Sequence, residues 1–104
     1  MDKKKDITKL REFKRKLSRE ISIEKMIWFG SRVSGKPNRW SDFDIIVVSS
    51  KFRKKRFRYR PLGFRKYWDF NYPVDFLCYT PEEFNKLKKQ ITIVREAVET
   101  GIEI

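Results

Sequence analysis

The segment from Phe43 to Val48, FDIIVV, limits the possible folds more than any other stretch of this 104-residue chain. Past Asp44 it is β-branched and apolar on both faces of an extended chain, which is the pattern of an interior strand covered on both sides. Its neighbours are supplied by two further runs. Met26, Ile27, Trp28 and Phe29 form an apolar strand that Gly30 terminates, and Val74 to Tyr79 forms another. Cover must come from helices. Ile7, Leu10, Phe13 and Leu17 recur at helical spacing behind Asp6, so the spacing predicts an amphipathic helix over 6–19 with a basic outer face and Asp6 as N-cap. Thr80, Pro81 and Glu83 supply the N-cap, N1 proline and N3 acid of a capping box. Ile91, Val94 and Val98 share one face of a last helix, which ends at Gly101. Residues 31–41, SRVSGKPNRWS, read as a short helical turn followed by a loop. The order α, β, α, β, arm, β, α, α predicts an α/β (α+β) fold, a small mixed sheet with helices packed on it, in a single domain over 1–104.

Apolar residues are only 39% of the chain, but 16 aromatics carry a large hydrophobic payload and make a compact core feasible. The chemistry is more restricted than the core. There is no His, and Cys78 is the single cysteine, which excludes imidazole acid–base chemistry, His/Cys zinc sites, CxxC redox motifs and an internal disulfide. Carboxylates, hydroxyls and bound ions remain. Cys78 itself reads as a small core residue. No apolar segment follows the lysines of MDKKKDITKL, and no run approaches the roughly 18 apolar residues of a membrane span. A soluble cytoplasmic protein is therefore expected.

The loop after Met26–Phe29 admits two phosphate-binding readings. Gly30 to Lys36 matches the GxxxxGK half of a P-loop, but position 37 is Pro, with no hydroxyl for Mg²⁺, and no amphipathic helix follows. The P-loop is rejected. The second reading takes Gly30-Ser31, ten intervening residues, and Asp42-Phe43-Asp44. Side chains two apart in a strand point the same way, so Asp42 and Asp44 share a face with Cα atoms about 6.6 Å apart. Two carboxylates entering an apolar strand repel each other and are costly to bury, and a divalent cation such as Mg²⁺ is the natural compensation. Gly30 lets the backbone approach a phosphate closely, and Ser31 with the following amides can donate to its oxygens. Asp75, a lone acid in the apolar strand VDFLCY, reads as a third carboxylate for a two-metal site or as the partner of a nearby Arg. Arg32, Ser34 and Arg39 read as either phosphate contacts or solvated loop residues.

These residues carry a family resemblance. GSRVSGKPNRWSDFD resembles the GSx10DxD signature of the minimal nucleotidyltransferases, a branch of the DNA polymerase beta superfamily, and PVDFLCYTPEEF is similar to their third-carboxylate strand and following helix. The resemblance implies a polymerase beta palm-like fold, with Asp42, Asp44 and Asp75 as catalytic and Mg²⁺-binding acids, two ions in all. It also implies that Gly30 and Ser31 hold a nucleoside triphosphate. Stand-alone members of that branch are commonly the antitoxins of HEPN/MNT pairs, which are similar to adenylyltransferases that move AMP from ATP to a tyrosine of the HEPN toxin. That implies a HEPN-type protein partner, in a homodimer or hetero-oligomer.

The net charge of +12 sits in two segments. Residues 1–20 hold nine basic and four acidic side chains, residues 51–70 hold nine and one, and the other 64 residues sum to −1. Residues 51–72 also hold eight of the 16 aromatics, interrupted by Pro61 and Gly63, and read as an irregular arm with a short helix around Leu62 to Trp68. Three readings of the arm stay open: a solvated surface with inward aromatics, a protein contact, or a nucleic-acid track with bases stacked on Phe57 or Tyr59. An RNA or DNA end is accordingly an alternative acceptor, and neutralisation of a toxin by binding alone is an alternative mode.

Overall fold

The computed structural model describes residues 3–35 and 42–104. The readings at Lys36, Pro37 and Arg39, and at the Ser34 side chain, lie outside the described residues. Four strands, β1 (Lys25–Phe29), β2 (Phe43–Val48), β3 (Val74–Tyr79) and β4 (Ile102–Glu103), form a sheet in the order β3-β2-β1-β4. The run FDIIVV is interior, as its composition requires, antiparallel to β1 and parallel to β3. A parallel neighbour cannot be reached by a hairpin, and the basic arm is the crossover that makes the pairing possible.

Alternation along β2 divides the core in two. Phe43, Ile45 and Val47 join Met26, Trp28, Val74, Phe76 and Cys78 on one face, packed against Leu10, Phe13 and Leu17 of α1 (Lys3–Leu17) and against Phe52 and Phe64 of the arm. Ile46 and Val48 join Ile27 and Phe29 on the other, under Phe84 of α3 (Pro81–Leu87) and Val94 and Ala97 of α4 (Ile93–Thr100). The expected mixed sheet with packed helices is present. The capping box of α3 is formed as its sequence predicts: Thr80 Oγ1 accepts from Glu83 N–H at 3.1 Å, and Glu83 Oε1 accepts from Thr80 N–H at 2.8 Å.

Four details differ from the sequence reading. Helix α1 begins at Lys3, so Asp6 lies in its first turn and is not the N-cap; an acid there still opposes the helix dipole favourably. The helix expected at Leu62 to Trp68 is a single 3₁₀ turn, Phe64–Tyr67, one of three in the arm. Ile91 lies before α4 and is 97% exposed, because Thr92 caps the helix by accepting from Arg95 N–H at 3.3 Å; Val94 and Ala97, and not Val98, face the sheet. The two-residue β4 was not expected at all. Its approach depends on Gly101, where a Cβ would stand 2.5 Å from the Ala97 carbonyl oxygen and 2.9 Å from that of Trp28. Among the described residues no helix is long and apolar enough to cross a membrane.

Candidate active site

The antiparallel register pairs Phe29 with Asp44, and the parallel register pairs Asp44 with Asp75. Paired residues project to the same side of a sheet, so Asp44 and Asp75 share the face that carries Ile46, Val48, Leu77 and Tyr79. Helices α3 and α4 cover those apolar positions. The two acids lie at the strand ends beyond that cover, where Asp44 is half-buried and Asp75 exposed. Asp42, also exposed, precedes β2. Burial foremost, then the charges of Asp75 and Asp42, pushes the Asp44 carboxyl above the ordinary aspartate value. Two acids at the start of β2 and a third in β3 thus form one electrostatic unit.

Gly30 is built into that unit. Its φ of 93° is a conformation side chains rarely adopt, and a Cβ there would stand 2.2 Å from Asp44 Oδ2. The glycine therefore makes room for a carboxylate, a role additional to the phosphate approach read from the sequence. Ser31 follows it, exposed, as the first residue of α2 (Ser31–Ser34). Arg32 turns the other way. It is 1% exposed, with its guanidinium carbon 4.6 Å from the Phe43 ring centroid and 4.1 Å from that of Tyr72. It is not the solvated residue of one reading: it fastens the Gly-Ser turn to the start of β2 and to the segment before β3 by cation–π stacking.

Asp42, Asp44 and Asp75 are an all-oxygen donor set, which suits a hard divalent cation, and a cation would offset both the burial and, behind it, the like charges that raise the Asp44 carboxyl. As the side chains are oriented, no three acidic or thiol groups among the described residues stand close enough to hold a metal ion. Cys78 takes no part: it is buried, and burial pushes its thiol up to about 12.

The aromatics of the arm divide between core and surface. Phe52 and Phe64 are buried, whereas Phe57 and Tyr59 stay exposed. Its anchor is a residue the sequence reading did not single out. Arg60, 7% exposed, donates to Glu83 Oε1 at 2.5 Å and to the Cys78 carbonyl at 3.0 Å, which ties the arm to the capping box of α3. Between the arm and β3 lies a groove of about 250 Å³ lined by Pro61, Leu62, Gly63, Arg65, Val74, Asp75 and Phe76. No local pattern announces it, because its two walls, 61–65 and 74–76, are separate in sequence and meet only through the crossover.

Residues 10–99 match the family described as nucleotidyltransferase domain. The chain belongs to that family. Nucleotidyl transfer is accordingly its catalytic activity, and the carboxylates at the open end of the sheet are the candidate centre of this nucleotidyltransferase domain. Its fold is similar to a crystal structure at 1.40 Å of a protein from Sulfolobus solfataricus, provisionally assigned as a nucleotidyltransferase, with 23% identity, 77% of each chain covered and a TM-score of 0.51. No curated protein matches the sequence significantly.

Proposed function

We propose that this nucleotidyltransferase moves AMP from ATP to a hydroxyl of a protein partner, a tyrosine of a HEPN-type toxin, and so acts as an antitoxin. The observation that carries the reading is the in-register pair Asp44 and Asp75, with Asp42 adding its charge and Gly30 shaped around the Asp44 carboxylate. Asp42, Asp44 and Asp75 are the residues that would hold Mg²⁺, two ions by the resemblance. Bound there, Mg²⁺ neutralises triphosphate charge and stabilises the charge that develops as phosphorus changes partners.

The residues divide the remaining work. Ser31 donates to triphosphate oxygens, and Gly30 presents backbone with no side chain in the way. The acceptor oxygen forms a bond to the α-phosphorus while the bond from that phosphorus to the bridging oxygen of the β-phosphate breaks. Pyrophosphate leaves with the bonding pair, and the hydroxyl proton passes to a carboxylate of the site, Asp75 being the exposed one on the edge strand. No His is needed for any of these roles.

Incubation with ATP labelled at the α-phosphate, Mg²⁺ and the product of the adjacent gene tests this. Label should appear on that protein, and Asp42→Ala with Asp44→Ala should abolish it. Labelling that survives the double substitution sinks the assigned site. Neutralisation that persists without labelling selects the alternative of an antitoxin acting by contact alone. Tailing of an RNA or DNA 3′ end, sensitive to salt, selects transfer to nucleic acid through the arm, which the exposed Phe57 and Tyr59 among basic residues favour.

A further inference from the structure

One part of the sheet edge is left open by the arm, and that part lies beside Asp75. In the parallel β2–β3 pair, Phe43 N–H donates to the Pro73 carbonyl (2.9 Å) at one end and Ser49 N–H to the Tyr79 carbonyl (3.0 Å) at the other. With Phe43 opposite Val74 and Val48 opposite Tyr79, backbone groups of Pro73, Asp75, Leu77 and Tyr79 face β2, and those of Val74, Phe76 and Cys78 face away. The outward Cys78 carbonyl is taken by Arg60, which closes that end of the edge. The outward N–H and C=O groups of Val74 and Phe76 have no hydrogen-bond partner among the described residues.

These groups border the groove whose far wall is Pro61, Leu62, Gly63 and Arg65. Leu62 is 69% exposed, an apolar surface facing solvent next to an unpaired strand. Arg65 on the wall is exposed and makes no ion pair among the described residues, whereas Arg53, Arg60 and Lys66 are paired with Glu82, Glu83 and Glu20. Backbone groups without partners on Val74 and Phe76, whose side chains are turned into the core, together with an apolar wall and the cation of Arg65, match an extended peptide that carries an acidic side chain. Phe57 and Tyr59, the exposed rings on which bases would stack, do not line the groove, which favours peptide over nucleic acid there.

We infer that this groove docks an extended, acidic segment of the protein acceptor, which adds as a strand along Val74–Phe76 and brings a hydroxyl side chain to Asp75. The inference rests on the protein-hydroxyl reading above and supplies its acceptor site. A strand added at the usual spacing of about 4.8 Å sets a side chain directly beside Asp75, on the face that carries Asp44.

The test is amide NMR on the full chain with a synthetic seven-residue peptide, alternating Glu and Val around a central Tyr. Before peptide is added, the Val74 and Phe76 amides should exchange with solvent much faster than those of Asp75 and Leu77. The peptide should shift and protect the first two. N-methylation of the peptide at alternate positions should weaken binding by about fivefold or more. V74P removes an N–H that the β2 ladder does not use and should weaken it similarly. R65E, at an exposed position, should weaken it about tenfold at low salt, with the loss shrinking as salt rises. D44A should keep peptide binding while losing transfer, so failure of transfer in the wild type counts against the catalytic reading alone. Equal binding of the methylated peptide, indifference to R65E, or perturbation of these amides by a single-stranded oligonucleotide and not by the peptide overturns the docking inference.

Discussion

Asp44 enters the sheet half-buried, beside Asp75 and two positions after Asp42, and burial with those two charges raises its carboxyl. The sign of the effect on stability follows. The charged form is disfavoured in the folded state, so folding carries a penalty at neutral pH that disappears as pH falls through the raised folded value toward the unfolded one. Asp44→Asn should therefore raise Tm by a few degrees at neutral pH and abolish transfer, with the Tm gap closing in acid; thermal scans across pH measure both. Added Mg²⁺ should raise the Tm of the wild type and leave that of D44N unmoved. Gly30 is the complementary case. Gly30→Ala meets a positive φ with extended ψ, a cost of about 1–3 kcal/mol, and a Cβ 2.2 Å from Asp44 Oδ2, so both stability and activity should fall. Retained activity in G30A would show that the Asp44 position is immaterial. At both residues the candidate role is legible in the spacing GSx10DxD, but the contact between them is not, because it depends on the antiparallel register of β1 on β2.

The arm behaves as an element although it has little regular structure. Its aromatic side chains enter the core at Phe52 and Phe64, and its single buried cation, Arg60 among the described residues of 51–70, meets the acid that also caps α3. The Arg60 hydrogen bond foremost holds the Glu83 carboxyl below the ordinary glutamate value, offset in part by its own burial. Stability from this group is thus fully present at neutral pH and is lost as pH falls through the lowered value. Glu83→Ala removes the reciprocal half of the capping box and strands Arg60, a loss of about 2–3 kcal/mol by chemical denaturation, with faster tryptic cleavage of the arm. Unchanged cleavage would mean that the aromatics alone hold it. The capping box itself was readable from Thr80, Pro81 and Glu83, since it is a local hydrogen-bond pattern. Arg60 was not, since nine basic residues over 51–70 look alike until one finds a buried acid.

At the scale of the molecule, charge is segregated and in part juxtaposed: the end of α1 and the arm are joined by Glu20, which accepts from Lys66 Nζ at 2.7 Å and from the Tyr67 hydroxyl at 2.8 Å. The two segments carry nine basic side chains each against four and one acidic, so mutual repulsion opposes folding. Raising NaCl from about 0.01 M to about 0.1 M, which shortens the Debye length from roughly 30 Å to roughly 10 Å, should raise Tm; a fall would mean that exposed pairs such as Arg53–Glu82 outweigh the repulsion. Local patterning accounts for the three long strands, the helices that cover them and the candidate acids, because strand and helix periodicities and cap chemistry act over a few residues. Tertiary structure alone decided the strand order, the register that seats Asp44 beside Asp75, the burial of Arg32 and Arg60, the short β4 and the open edge at Val74–Phe76. Each of those requires two segments distant in sequence to meet, and a chain records its local preferences in adjacent residues, whereas register and burial arise only when separate elements compete for the same hydrogen bonds and the same core.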